Sequence, residues 1–205
     1  FSGIDVTLSD ASGLGYDDRL RATPANSGDF TESLLLRDFV FSRDNVGTSG
    51  FDVMVDGLSP NEVYTFTIWS FDANSAGLRT SNWTANGVVA AANYGFDGNA
   101  LPASDDTYRF GVVVQADSLG RVTLEGRKSP LSGDFAVFLN ALRIETGDTL
   151  HPPAGIYEVL RVDFNARTGG EVGLANSEPG YQTMTLDEPS ATFGSTTVTV
   201  STYGA

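Results

Sequence analysis

Apolar and polar residues alternate with period two along most of the chain. Ile4-Asp5-Val6-Thr7-Leu8, Phe51-Asp52-Val53-Met54-Val55 and Arg121-Val122-Thr123-Leu124 each turn every second side chain to one face. That spacing, carried by β-branched and aromatic residues, predicts strands with one face in a core. The same reading extends to 34–41, 63–71, 108–114, 135–144, 157–164, 181–186 and 196–202. No segment keeps a 3.6-residue period for three turns, and the alanine-rich 88–92 is long enough for a helical turn at most. The 23 glycines and eight prolines fall mostly between these runs, as in Asp56-Gly57-Leu58-Ser59-Pro60-Asn61, where a turn needs φ > 0 or a fixed φ. Many short strands so punctuated predict an all-β chain folded as an antiparallel β-sandwich. Two stretches, 11–29 and 72–106, read as long irregular loops of the kind that carry function or contact partners.

Composition narrows the partners. With 205 residues the chain fits one large all-β domain or two small ones, and with 40% hydrophobic and 19% charged residues it is neither disordered nor membrane-spanning. No apolar run reaches the ~18 residues a bilayer crossing needs. A net charge of -14 disfavours nucleic acid, whose phosphates require a basic face. There is no cysteine, so neither a disulfide framework nor a thiolate metal site can form. The sequence opens at Phe1 with no methionine or basic leader, which gives the expectation of a processed, exported product at the cell surface or outside it. Asn82-Trp83-Thr84 is an N-glycosylation sequon, making Asn82 a glycosylation candidate.

Gly57 to Asp72, GLSPNEVYTFTIWSFD, resembles the Leu-x-Pro-x-x-x-Tyr corner of fibronectin type III and related sandwich modules, with Leu58, Pro60 and Tyr64 at the matching positions. The resemblance implies that the tyrosine hydroxyl ties the turn to the strand it begins. More widely, the chain resembles the galactose-binding-type β-sandwich modules of secreted bacterial proteins, many of them attached to polysaccharide-degrading enzymes. The pieces that carry this are Val162-Asp163-Phe164-Asn165, Pro179-Gly180-Tyr181, Arg19-Leu20-Arg21, Arg37-Asp38-Phe39-Val40-Phe41, Leu58 to Tyr64, Gly120-Arg121 and 138–145. What the resemblance implies is a jelly-roll or galactose-binding-like sandwich and a carbohydrate-binding module.

Those pieces stand in permuted order, with the family-like opening at 161–205 and the remainder at 1–150. The chain therefore divides into a main sandwich body (1–150), a Pro-containing linker (151–160) and strands completing a sandwich (161–205). A true permutant, a frame cut from tandem repeats and a subunit whose tail completes the next molecule all stay open. The third is the favoured expectation. Pro152-Pro153 makes a stiff spacer, and a body lacking its opening strands exposes sheet edges that invite a neighbour's strand. Arg161, Val162, Phe164, Tyr181, Met184, Val198 and Val200 would then be the assembly strands, joining identical subunits head to tail into an extracellular filament with a structural or adhesive role.

Catalytic chemistry finds little purchase. The sole histidine, His151, sits in the proposed linker, so His-dependent triads and multi-histidine metal sites lack their parts. The 26 acidic residues supply too many carboxylate pairs for any to signal glycoside hydrolysis. The expectation is a non-enzyme without a required cofactor. Calcium is a candidate ligand of Asp72, Asn74, Asp97 and Asn99, since hard cations take several loop oxygens. Polysaccharide is the alternative partner, with Trp69, Asp72, Arg79, Trp83 and Tyr94 as its contacts: aromatics stack on sugar faces, and Arg and Asp bond hydroxyls. Trp69 has core packing as its competing use. Arg37-Asp38, set in an apolar strand, leaves one charge pointing inward and in need of a salt-bridge partner.

Overall fold

Two five-stranded sheets face each other across a shared core in the computed structural model, which describes residues 3–11, 15–43, 45, 49–74, 76–150, 158–165, 178–179, 181–185, 190–193 and 196–199. The strands in chain order are β1 (Asp5–Asp10), β2 (Tyr16–Leu20), β3 (Asp38–Ser42), β4 (Gly50–Asp56), β5 (Val63–Trp69), β6 (Leu78–Ala85), β7 (Val88–Asp97), β8 (Arg109–Gln115), β9 (Val122–Lys128), β10 (Phe138–Leu139), β11 (Ala141–Thr146), β12 (Glu158–Asn165), β13 (Gln182–Thr185), β14 (Ser190–Phe193) and β15 (Thr196–Thr199). The first sheet runs β1-β4-β9-β6-β7 and the second β13-β12-β11-β5-β8. A three-stranded sheet β10-β3-β2 touches both, β3 meeting β12 of the second sheet and β4 of the first, and β14 pairs with β15. All ladders are antiparallel except β12 with β13, so the second sheet is mixed rather than purely antiparallel.

The period-two pattern is what builds the core. Val6 and Leu8, Val53 and Val55, and Val122 and Leu124 from the first sheet meet Tyr64, Phe66 and Ile68, Val112 and Val114, Leu142 and Ile144, and Val162 from the second. A separate aromatic cluster of Phe39, Phe41, Trp69, Phe71, Phe96, Phe138 and Tyr181 fills the end covered by the small sheet. The tyrosine corner forms as its sequence implies: the Ser59 amide donates to the Tyr64 hydroxyl at 2.9 Å.

Several expectations need correction. The stretch at 34–41 is not one strand: a 3-10 turn occupies Ser33–Leu36 before β3 begins. The supposed irregular region after Asp72 contains the β6–β7 hairpin, the alanine-rich stretch inside it being strand, not helical turn. Asn86 (φ 44°) and Gly87 (φ 79°) make its tight turn. Asn-Gly with φ > 0 at both residues matches the right-handed twist of two paired strands, which outweighs the weak helical preference of alanines. The other supposed loop holds β2, so Asp17-Asp18 lie in a strand.

The tail also differs from expectation. β12 pairs antiparallel with β11 of its own chain, placing Val162 beside Leu142 and Arg161 beside Arg143, and β13 adds outside it. Strands 158–165 and 182–185 thus extend the chain's own second sheet instead of reaching outward, because β11 would otherwise present an unpaired edge. β15 lies against β1, so the segment that resembles a family opening closes onto the chain's first strand. Strand exchange between identical subunits, and a filament built on it, have no support in this arrangement. His151, Pro152, Pro153 and Val200 lie outside the described residues, and Phe164, Met184 and Val198 are placed by backbone alone, in β12, β13 and β15.

Candidate functional site

Pleating of the second sheet turns Thr65, Thr67 and Trp69 of β5 away from the main core, together with Arg143 and Glu145 of β11, Arg109 and Gly111 of β8, and Arg161 and Asp163 of β12. Register aligns them in rows. Asp163, Ala141, Trp69 and Arg109 form one; Arg161, Arg143, Thr67 and Gly111 form the next. Three arginines thus gather on one face of a strongly acidic chain.

The first row is floored by aromatics. Trp69 is buried, and the guanidinium carbons of Arg109 and Arg143 lie 5.8 and 5.7 Å from its ring centroid, within cation–π reach. Tyr181 meets Trp69 edge-on at 6.0 Å, and Arg161 lies 5.5 Å from the Tyr181 ring. Burial, followed by the charge of Glu32, raises the Tyr181 hydroxyl well above its ordinary range.

The second row opens into a cavity of about 400 Å³ lined by Thr67, Asp106, Arg109, Gly111, Arg143 and Leu150, among others. Gly111 makes its floor low: a Cβ there would sit 2.9 Å from a Leu150 methyl. The wall after β11 is pinned by Thr65, whose hydroxyl donates to Gly147 O (2.7 Å) and accepts from the Thr149 amide (2.8 Å). Arg143 donates to the Thr67 hydroxyl at 3.5 Å and sits 3.3 Å from Glu145, while Arg109 pairs with Asp106. The Arg143–Glu145 contact lacks hydrogen-bond geometry, so Arg143 Nε is buried without an acceptor. Each guanidinium carries five N–H donors, and these contacts engage a minority of them.

A carboxylate cluster borders the arginines. Asp163 is fully buried; its Oδ2 accepts the Glu178 amide at 2.9 Å and its Oδ1 has no hydrogen-bond partner. Burial, aided by the Glu178 charge and opposed by that amide, pushes its carboxyl up to about 8. Glu178 accepts the Leu34 amide at 3.2 Å and is raised by burial and then by Glu32. Burial and then Asp105 raise Glu32, against the pull of Arg161, Arg109 and Arg143. Asp105 is opposed by desolvation, but donors from Thr31 and Glu32 prevail and hold it low.

The residues singled out in sequence do not assemble into an open sugar surface. Trp83 is inside the main core, Trp69 is covered by the arginines, and Tyr94, half-buried, donates to Ser70 O. Arg79 is buried against Asp134 at 2.8 Å, and Asp72 is held bidentately by Arg21 at 2.7 and 3.0 Å. That pairing also occupies the carboxylate expected for calcium. The Asn74 side chain donates to Thr23 while its backbone amide donates to Gly98 O at 3.0 Å, and Asp97 caps the amide of Asn99, so Asn74 lies beside the 97–99 turn with its side chain and that of Asp97 already engaged. Among the described residues no group of three acidic or histidine side chains could hold a metal ion. Asn82 sits in β6, its side-chain oxygen accepting the Asn93 amide at 2.8 Å. The inward charge of the Arg37-Asp38 pair is Asp38, which is buried, while Arg37 reaches Arg21 O. Arg109, Arg143 and Thr67 went unnoticed in the sequence; their signal is polar residues at alternate positions of three strands that pair only in space.

No family model matches the chain, and no curated protein matches it. Solved structures similar to it include a family 35 carbohydrate-binding module from Clostridium thermocellum, at 14% identity over 68% of this chain and 97% of that one, with a TM-score of 0.35. Another, from an environmental isolate, is 13% identical over 74% of this chain and 96% of its own, with a TM-score of 0.34. An exo-beta-1,3-galactanase from Phanerochaete chrysosporium is 14% identical over 70% of this chain and 29% of that chain, with a TM-score of 0.31.

Proposed function

We propose that this chain is a non-catalytic, extracellular carbohydrate-binding module, and that the arginine-lined cavity on the outer face of the second sheet is its polysaccharide site. The observation that carries this reading is the cavity itself. At about 400 Å³ it falls in the range of small-ligand pockets, and it combines convergent donors from Arg109 and Arg143 with a hydroxyl from Thr67 and an apolar edge from Leu150. A sugar ring offers this same mixture of hydroxyl acceptors and apolar C–H faces. Among the described residues that line the cavity, no hydroxyl is hydrogen-bonded to a carboxylate that lines it as well. No helix among the described residues is long and apolar enough to cross a membrane.

The test is binding of the whole chain to a panel of soluble polysaccharides, neutral and acidic, by calorimetry. The expected result is binding that weakens at least tenfold in Arg109→Ala/Arg143→Ala while thermal stability is kept. Absence of binding to every polysaccharide, or binding indifferent to both arginines, overturns the assignment.

A further inference from the structure

We propose that Asp163 works as a clasp whose uncharged form holds Glu178 and Tyr181 against the second sheet, and whose ionised form releases Tyr181 from Trp69 and so loosens the ring on which the cavity's Arg109 and Arg143 rest. The argument begins with hydrogen-bond supply. An ionised carboxylate is an acceptor with room for about four donors. Asp163 has one, the Glu178 amide at 2.9 Å, while Oδ1 has none and the side chain sees no water. Burying a neutral acid in such a place costs far less than burying its anion.

The groups around it favour the same form. Ala141 of β11 stands directly opposite and Thr183 of β13 is its partner in the parallel ladder. Glu178 faces it from the clasped segment, with Glu32 and Asp105 beyond, next to the 3-10 turn and ahead of β8. Arg161, Arg109 and Arg143 act on Glu32, and Arg161 lies over the Tyr181 ring. An anion at Asp163 would therefore be held by the single Glu178 amide, in a dry place, with the Glu178 carboxylate as its charged neighbour.

The connection to the cavity is short. Glu178 accepts the Leu34 amide through its carboxylate and the Tyr181 amide, at 3.1 Å, through its carbonyl. Tyr181 in turn supports the Trp69 ring that lies beneath Arg109 and Arg143. The sign follows from a group that binds its proton more tightly folded than unfolded. Its stabilisation is full below about pH 4, the unfolded value, and is lost as pH rises through the folded value.

This rests on the polysaccharide reading for its consequence but not for its test, which uses the ligand-free chain. Thermal unfolding and near-UV circular dichroism are followed from about pH 5 to about pH 9 in wild type, Asp163→Asn and Glu178→Gln. Asparagine keeps an oxygen for the Glu178 amide and cannot ionise. The expected result is a wild-type folding constant falling by up to about tenfold per pH unit in this window. The aromatic signal should change alongside it, and in Asp163→Asn both changes should shrink to the smaller contribution of Glu32 and Glu178, whose raised carboxyls also lose stability as pH rises. Glu178→Gln, which removes the facing charge, moves the step to lower pH, and serves alone should Asp163→Asn not fold. A flat wild type, a step unchanged in Asp163→Asn, or one unmoved in Glu178→Gln overturns the clasp. Where polysaccharide binds, affinity is expected to fall over the same window in wild type only.

Discussion

Replacing Trp83 separates a core residue from a sugar platform. Its ring is 1% exposed and meets Phe51 at 5.9 Å and Phe110 at 5.7 Å, while Nε1 donates to the buried Ser81 hydroxyl at 3.0 Å. It also rests on Gly126, where a Cβ would come within 2.8 and 2.9 Å of ring carbons. Trp83→Ala empties this site, at a cost of about 3–5 kcal/mol for a buried tryptophan. In a chain of this size each kcal/mol shifts Tm by roughly 2–4 °C, so a fall of roughly 6–20 °C is expected in a thermal scan. Gly126→Ala overpacks the same place and costs about 1–3 kcal/mol. In a Trp83→Phe background the ring atoms it strikes are gone and only the Val137 methyl, 2.7 Å from that Cβ, remains, so the two changes should be partly non-additive, the double variant being more stable than the sum predicts. A Trp83→Ala protein that melts with wild type yet loses polysaccharide would refute the placement of this ring in the core.

Two further stability changes follow from single contacts. Tyr64→Phe keeps the ring in the core and deletes the acceptor of the Ser59 amide, so chemical denaturation should show a loss of about 1–2 kcal/mol with an unchanged m-value. Arg21→Ala strips the bidentate partner from Asp72, which is 2% exposed, and should cost about 3 kcal/mol; Asp72→Asn in that background should recover part of it.

The sandwich was legible because its core is written locally. Val6 and Leu8, or Val53 and Val55, show their inward face within a few residues, and Leu58, Pro60 and Tyr64 declare a corner by spacing alone. The cavity is not local. Thr67, Arg143 and Gly111 become neighbours only when β5, β11 and β8 pair, a register that no single strand encodes. Aromatics misled for a related reason. Trp83 and Tyr94 stood in a stretch without clean alternation, and the shifts of register within the β6–β7 ladder, at Ser81/Trp83 and Trp83/Thr84, are what break the pattern there. The tail was read outward because the proline pair suggested a spacer, whereas the unpaired edge of β11 offers a partner in the same chain.

Charge differs between the two outer faces, and the difference favours placing the proposed site on the second sheet. On the first, Arg127 pairs with Asp52 at 2.6 Å and Glu125 at 3.3 Å and bonds two backbone carbonyls, and Arg121 pairs with Asp56 at 2.8 Å. On the second, Arg143 stands directly across from Arg161, a like-charged pair that disfavours the ladder by about 0.2–1 kcal/mol. A local conflict of this kind is what a binding surface holds in reserve for its ligand. Arg143→Gln removes the conflict and keeps a donor beside Thr67. It should leave Tm unchanged or raise it by roughly 1–4 °C, on the scale of 2–4 °C per kcal/mol, while polysaccharide affinity falls. A clear drop in Tm would show instead that the ion pair with Glu145 outweighs the repulsion, and that this face is built for stability.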